Sequence, residues 1–469
     1  RMDMKSDGSL NMEQKADDVK KEEKEQMALA TVEFRPARPE YNGQYGFDWL
    51  RVNDGKATAE MPYKDIIVSG CSDGLQNLTK DKAYDNLKNE YKQVPITFKK
   101  GEENTYFVPY LNLYSKECVE ALKLDKDVSK PCYKALLRVL VDINEEVDRL
   151  EFDYDKETFE IDRPVLTEKE KTNGKIESGN TIEITCNKSF SDADKGVIRV
   201  FAYPKGCADK PMPDQVRLRS LAGKILVGVN DEKAQKRMKF VLVCVKTEIN
   251  GKEKEGKFSS EHLGLLSNTL HQMYINPVFE QHLKDKDGKV LMDADGNPKS
   301  IVLDLVEDKR FMPGGIYVKN GKIQKFTKQR VGMTLQRYFN SNVARYLRIV
   351  FLRKYPQYNG FFTIFSFNER GFDKKVELYG FCESVYKSGT TKFSHYKKNL
   401  VLFANPEAMV LSHEVLHGMG LHHTHIDDEV IEESTRRYVY KENTTDNVMS
   451  YASTRKSTWY WQWKIVRKE

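Results

Sequence analysis

One stretch of the chain, residues 413–423, constrains its fold and chemistry more than any other. It reads His-Glu-Val-Leu-His-Gly-Met-Gly-Leu-His-His and satisfies the pattern H-E-x-x-H-x-x-G-x-x-H at every fixed position. Because residues four apart in a helix lie one turn, about 5.4 Å, above each other, His413 and His417 point the same way and can share one metal ion. Glu414 follows the first histidine and can reach a water molecule bound to that ion. The stretch therefore predicts a metal site with a general base beside it.

The end of this predicted helix provides a third ligand. Gly420 can take a positive φ without steric cost, so the chain can reverse and bring His423 to the same ion. Three protein ligands leave a fourth position open, which is typical of a catalytic rather than a structural zinc site, so Zn²⁺ is the predicted cofactor. Upstream, Asn405, Pro406 and Glu407 are expected to start the helix, which would have about 12 residues.

A second motif lies downstream, at residues 446–451, and reads Asp-Asn-Val-Met-Ser-Tyr. Together with residues 413–423 it resembles the signature of the metzincin clan of zinc peptidases, in which a methionine turn lies beneath the three imidazoles. The resemblance implies that Met449 is this structural methionine. It also implies that Tyr451, placed as in astacin-like and serralysin-like members, contacts the zinc or stabilises the oxyanion. Thr424 stands where the family often has a diagnostic residue, which leaves the subfamily open.

Two further histidines, His422 and His425, flank the third ligand. Neither fits the ten-residue offset that separates His423 from His413. We therefore expect both side chains to be exposed or to lie outside the ligand set, next to the residues that bind the metal.

The pattern of predicted strands and helices in the C-terminal half is that of an α/β domain around the motif. Apolar runs predict strands at residues 240–246, 300–305, 361–367, 378–386 and 400–404. Helices are predicted at residues 260–283, 334–354, 427–438 and 459–466. Alternation of strands and helices favours a mostly parallel sheet. The segment 378–386 is expected at its edge, where an extended substrate can pair through main-chain hydrogen bonds.

These patterns predict a multidomain chain with all-β modules in front of a metzincin-like α/β (α+β) peptidase domain. Residues 1–28 are dominated by Lys, Glu, Asp and Gln and are expected to form a disordered charged tail. Residues 29–165 form a β-rich module and residues 166–234 an Ig-like β-sandwich module. The catalytic domain is predicted at residues 235–469.

Composition excludes several classes of protein. A net charge of +6 over 469 residues, with basic and acidic residues interspersed, gives no electrostatic case for nucleic-acid binding. No apolar run reaches the roughly 18 residues that a membrane-spanning helix needs. The seven cysteines are widely spaced and odd in number, which argues against a dense disulfide framework, although Cys118 with Cys132 or Cys186 with Cys207 can bridge locally.

The predicted activity is that of a zinc endopeptidase acting on a protein or peptide. The methionine turn and the segment 457–465 are also similar to predicted metallopeptidase effectors of bacterial contact-dependent or type VI secretion systems, which implies an exported toxin. The start of the chain has no apolar segment of signal-peptide type, so we expect either that a leader has been removed or that Met2 is the natural start and any export uses another route. A cytoplasmic location is the alternative. The β modules would then bind a docking or delivery partner.

Two alternatives remain at this level. The chain can be an adhesion or interaction protein with a vestigial or regulatory zinc domain, although such a scaffold has no need for the base Glu414. It can also be a latent enzyme whose front modules cover the zinc with a cysteine or an acid. Cysteines between Cys71 and Cys244 offer candidates for that role, and their spacing selects none of them.

Overall fold

The computed structural model describes residues 29–72, 75–99, 102–167, 175–326, 342–387, 393–427 and 437–468. The chain is mostly β, with 38% strand and 19% helix, arranged in several sheets as expected of a β-rich multidomain protein. The predicted charged tail, residues 1–28, lies outside the described part. Within the described ranges, no helix combines the length and apolar content needed to cross a bilayer.

The strands of the N-terminal half, in chain order, are β1 (Ala30–Pro36), β2 (Gly46–Asp48), β3 (Ile67–Ser72), β4 (Leu75–Leu78), β5 (Gln93–Lys99), β6 (Glu102–Phe107), β7 (Tyr110–Asn112), β8 (Lys134–Ile143), β9 (Val147–Asp153), β10 (Phe159–Ile161), β11 (Val165–Leu166), β12 (Ile176–Cys186), β13 (Val197–Pro204) and β14 (Ser220–Val227). Those of the C-terminal half are β15 (Lys236–Thr247), β16 (Lys254–Glu255), β17 (Ile275–Glu280), β18 (Val302–Asp304), β19 (Val318–Lys319), β20 (Lys322–Gln324), β21 (Phe362–Ser366), β22 (Gly371–Asp373), β23 (Val376–Leu378), β24 (Gly380–Tyr386), β25 (Phe393–Leu402) and β26 (Arg437–Tyr440). The α-helices are α1 (Tyr63–Ile66), α2 (Lys80–Lys88), α3 (Lys116–Ala121), α4 (Met212–Leu218), α5 (Ser260–His271), α6 (Val343–Lys354), α7 (Val410–Gly418) and α8 (Tyr460–Arg467), and short 3₁₀ turns cover Ala193–Gly196 and Pro356–Tyr358.

Two sheets of the N-terminal half form a sandwich. Their strand orders are β1-β8-β12-β10 and β11-β9-β13-β14-β7-β2, and residues of both sheets share one apolar core. Alternation produces this packing, since successive side chains of a strand point to opposite faces. In β1, for example, Ala30, Val32 and Phe34 are buried, whereas Thr31 and Glu33 are only partly covered.

Strands from both sides of residue 165 combine in each sheet. β12 pairs with β8 in the first sheet, and β13 pairs with β9 in the second. The segments predicted as two modules, residues 29–165 and 166–234, therefore share one sandwich. Local patterns could not show this arrangement, because antiparallel pairing between strands that are distant in sequence leaves no mark on either strand alone.

The central sheet of the C-terminal half has the order β16-β15-β21-β25-β24. β15, β21 and β25 are parallel and β24 is antiparallel to β25, which confirms the mostly parallel sheet with an edge strand near residues 378–386. In β15, Phe240 and Leu242 contact the core that contains α5 and α7, whereas Val241 and Val243 contact the core that contains α6. Helices on both faces explain the nearly continuous apolar run of this strand.

A segment of the N-terminal half is built into the C-terminal half. β26 pairs antiparallel with β3 in the sheet β26-β3-β4, and this sheet shares an apolar core with α1, α2 and α8. Tyr63, Tyr438, Tyr440 and Trp459 are buried together in that core. The predicted helix at residues 427–438 is corrected at its end, because Arg437 and Tyr438 belong to β26, while residues 428–436 lie outside the described part. Pairing with β3 decides this conformation.

Polar contacts strengthen the same junction. The Arg51 guanidinium donates to a carboxylate oxygen of Asp446 at 2.7 Å, and the two side chains are only 5% and 11% exposed. Gln272 donates from its side-chain amide to the carbonyl oxygens of Gly43 and Lys456, both at 2.8 Å. The N-terminal half is thus bonded directly to the turn that starts at Asp446. All seven cysteines are free thiols, so neither of the two local bridges that the spacing allows is present.

Asp48, at this junction, is expected to make stability depend on pH. Its carboxylate is 1% exposed and accepts hydrogen bonds from the backbone N–H of Tyr460 and the hydroxyl of Tyr91, and burial raises its pKa to about 7. The folded chain thus keeps a proton that the unfolded chain loses near pH 4. The free energy of unfolding should therefore fall, by up to about 1.4 kcal/mol per pH unit, between about pH 4 and about pH 7. Asp48→Asn should remove this dependence.

The measurement is the melting temperature of both proteins across this pH range. As pH rises, the melting temperature of Asp48→Asn should increase relative to that of the parent. Asp65→Asn, at an exposed aspartate on α1, is the control and should track the parent. A melting-temperature difference that stays constant with pH would contradict the expectation.

Candidate metal centre and cleft

The helix α7 carries the first two histidines of the motif. It begins at Val410 and has 9 residues, so it is shorter than predicted and starts later. Asn405 has a φ of 56°, in the left-handed region, and does not cap the helix. At the other end, Gly420 has a φ of 101°, as predicted, and the chain reverses there. An L-residue is strained at that φ, so glycine is required for the reversal.

The reversal brings three imidazoles together. Nε2 of His423 lies 3.1 Å from Nε2 of His417 and 3.1 Å from Nε2 of His413, and the ligand atoms all lie within 4.8 Å of one another. Nitrogens bound at about 2.0–2.1 Å to a tetrahedral zinc ion lie about 3.3–3.4 Å apart. The three rings thus have the chemistry and the spacing to hold one metal ion.

Hydrogen bonds at the opposite ring nitrogen fix the tautomer of each histidine. Nδ1 of His413 donates to the carbonyl oxygen of Val448 at 2.9 Å, and Nδ1 of His417 donates to that of Leu421 at 2.7 Å. Since a carbonyl oxygen only accepts, Nδ1 carries the proton and Nε2 presents a lone pair. Burial lowers the pKa of His413 and His417 well below the usual value, so both rings stay neutral, as metal ligands must.

The third ligand has a carboxylate partner that the sequence did not reveal. Nδ1 of His423 lies 2.7 Å from Oδ2 of Asp427. Arg437 fixes this arrangement from β26, because its guanidinium donates to the carbonyl oxygens of His423 and His425 at 2.8 and 2.9 Å and to Asp427 at 3.3 Å. The only signal in the sequence is an aspartate four residues after the histidine, which is too common to be specific.

Asp427→Ala is expected to weaken metal binding about 10- to 100-fold, because the partner that orients a ligating imidazole and raises its basicity is lost. Asp427→Asn should lie between the parent and the alanine variant, since its amide oxygen can still accept from Nδ1. The measurement is the metal dissociation constant of the full chain, obtained by competition with a chromophoric chelator. Asp85→Ala, at an exposed aspartate, is the control. Equal constants for Asp427→Ala and the parent would contradict the role.

Glu414 brings a carboxylate to a cleft that His413 also lines. Its Oε2 accepts a hydrogen bond of 2.8 Å from the backbone N–H of Cys382 in β24, and burial raises its pKa to about 7. The side chain lines a cleft of about 330 Å³ together with His413, Tyr451 and Arg455. The carboxylate is therefore held by the edge strand and lies at the cleft.

The turn at residues 446–451 lies against the histidines. Met449 is buried in the core that also contains α7, and the backbone N–H of Thr424 donates to its carbonyl oxygen at 3.1 Å. Tyr451 is 52% exposed, and its hydroxyl lies 3.1 Å from Nε2 of His423. The turn thus brings a half-exposed phenol to the point where the three imidazoles meet.

The two flanking histidines are buried, so of the two expected placements the exposed one is wrong. His422 is 6% and His425 4% exposed, and both lie outside the cluster of three ligands. The ring of His422 packs on Tyr396, with centroids 5.5 Å apart, and the ring of His425 lies 4.8 Å from that of His423 and 4.4 Å from that of Tyr451. They pack around the ligands, because the loop after Gly420 folds back into the domain.

These side chains define a candidate three-histidine metal centre with an adjacent carboxylate and an open cleft. Comparisons of the chain with protein-family models, with curated proteins and with solved structures give no match. Within the described part of the chain, the cluster of His413, His417 and His423 has no cysteine among its members. The function is therefore inferred from the chemistry of the site itself.

Proposed function

We propose that the chain is a zinc-dependent endopeptidase whose catalytic centre is formed by His413, His417, His423 and Glu414. One observation supports this most: three imidazoles present their Nε2 atoms to one point, and a carboxylate faces the same cleft. Three neutral imidazoles suit zinc, and such a set leaves a coordination position free. Zinc, when bound, acts as a Lewis acid and makes water a stronger nucleophile at neutral pH.

The side chains of the cleft have separate roles in this proposal. Glu414 accepts the proton of the attacking water and then donates it to the leaving amine, which a carboxylate with a pKa near neutrality can do in both directions. The Tyr451 hydroxyl donates a hydrogen bond to the oxyanion that develops on the scissile carbonyl. His413, His417 and His423 hold the metal and take no part in proton transfer.

The edge strand supports the choice of a peptide as substrate. β24 pairs with β25 on one side, and among the described strands none pairs with its other side. An extended peptide can add to such an edge by main-chain hydrogen bonds, and its scissile bond would then lie beside Glu414, which β24 itself contacts. An interaction protein with a vestigial site would have no reason to keep a carboxylate at this place.

The test is digestion of an unstructured protein such as casein by the purified full chain. A chelator should stop cleavage, added Zn²⁺ should restore it, and His417→Ala should be inactive under both conditions. Cleavage that survives both the chelator and His417→Ala would reject the proposal. Export as a bacterial effector, a docking partner for the sandwich and membership of the metzincin clan stay predictions of the sequence.

A further inference from the structure

The cleft beside the candidate metal centre is lined in part by apolar groups. Val376, Leu378, Tyr379 and Val410 contribute to its wall, close to Glu414. Because the cleft of about 330 Å³ adjoins the base, it is the space available to the substrate side chain next to the scissile bond. Its polar groups therefore decide which side chain is accepted there.

Arg455 brings a positive charge to this cleft. Its side chain is 8% exposed and donates to the carbonyl oxygen of Ser450 at 3.1 Å, which fixes the guanidinium next to the turn. Its carboxylate partner is Glu407, at 3.0 Å, and that side chain is 70% exposed. An ion pair with such an exposed member contributes little to stability. A carboxylate of a substrate can therefore take the place of Glu407.

The lining contains three acids, of which Glu414 is the proposed base and Glu407 pairs with Arg455. The third, Glu377, already has a partner. Glu377 accepts hydrogen bonds from Nε and Nη2 of Arg370, both at 2.6 Å, so its charge is compensated within the protein. Arg370 does not belong to the lining, whereas Arg455 does. A planar guanidinium matches a carboxylate in geometry and in charge.

We propose that Arg455 makes the enzyme select a carboxylate next to the scissile bond, an inference that rests on the proposed peptidase function. The carboxylate comes either from an Asp or Glu side chain or from the C-terminus of the substrate. Arg455 binds it in exchange for Glu407. The free energy of a hydrogen bond to a charged group corresponds to a preference of about 10- to 100-fold for the acid over its uncharged isostere.

The first experiment measures the cleavage of matched peptides by the metal-loaded full chain. One pair of peptides has Glu or Gln, and a second pair Asp or Asn, at the position next to the scissile bond. A third pair has a free or an amidated C-terminus. The ratio of kcat/KM within a pair should favour the acid, and Arg455→Ala should bring this ratio close to one. Glu407→Gln, which leaves Arg455 in place, should increase the ratio. Arg217→Ala, at an exposed arginine outside the lining, is the control and should keep the ratio of the parent.

The second experiment measures binding without turnover. The metal-loaded Glu414→Ala chain is titrated with the same peptides by calorimetry, in the presence and absence of the Arg455→Ala substitution. Binding that favours the acid only when Arg455 is present supports the inference, even if the parent cleaves nothing and the peptidase proposal fails. Cleavage or binding with equal preference for acid and amide, or a preference that persists in Arg455→Ala, overturns it while leaving the peptidase proposal intact.

Discussion

Glu414→Gln is expected to lower kcat about 100- to 10,000-fold, the usual contribution of a positioned general base, while metal binding is retained. The substitution keeps the size of the side chain, and its amide oxygen can still accept the hydrogen bond from the backbone N–H of Cys382. In the proposed mechanism, it removes the group that takes and returns the proton. The three imidazoles keep their hydrogen-bond partners, because none of these involves Glu414.

The measurements are the rate of peptide cleavage, and the zinc content after dialysis, of Glu414→Gln and the parent. Glu442→Gln, at an exposed glutamate, is the control and should match the parent in both. A variant with equal zinc and an undiminished rate would show that another group acts as base. A variant that loses its zinc would instead make Glu414 part of the metal site.

Residues 235–469 on their own are expected not to form a stable folded domain. Removal of the N-terminal half takes away β3, β4 and α2, which cover Tyr438, Tyr440 and Trp459. Exposure of a large buried apolar side chain costs about 1.5–3 kcal/mol, so exposure of these three costs about 4.5–9 kcal/mol, which is comparable to the stability of an ordinary domain, about 5–15 kcal/mol. Asp446 also loses the guanidinium of Arg51.

The measurement is thermal unfolding, followed by circular dichroism, of the fragment and of the full chain. The fragment should show no cooperative transition and should not bind one equivalent of metal. A finer variant in the full chain, Arg51→Met, should destabilise it by about 3–5 kcal/mol, because it leaves a buried carboxylate unpaired. Pairing it with Asp446→Asn should recover part of that loss. A fragment that unfolds cooperatively would show that the front of the chain is a separable module.

The N-terminal half contacts the rest of the chain more closely than the separate modules that the sequence suggested. Strand-rich segments ahead of a catalytic motif usually indicate modules for binding or delivery. Here Arg51, Gln272 and the pairing of β3 with β26 join that half to the turn that lies against the histidines. Its contacts support the candidate centre, whatever else the sandwich binds.

The sequence alone determined the parts of the site that depend on neighbours along the chain. His413, Glu414 and His417 follow from the period of one helix, and Gly420 from the φ that the reversal requires. The same holds for β15, whose apolar run predicts a strand and agrees with its packing on both faces. Local geometry fixes these features, so a local pattern records them.

Only the tertiary structure decided which distant residues complete the site. Arg455 reaches the cleft because the turn before it is fixed against α7, and Arg437 holds Asp427 because β26 pairs with β3. The single sandwich likewise depends on pairing across residue 165. Such contacts depend on the register between strands and on the packing of whole elements, and many partners along the chain satisfy the same local pattern. Their choice is a property of the complete fold.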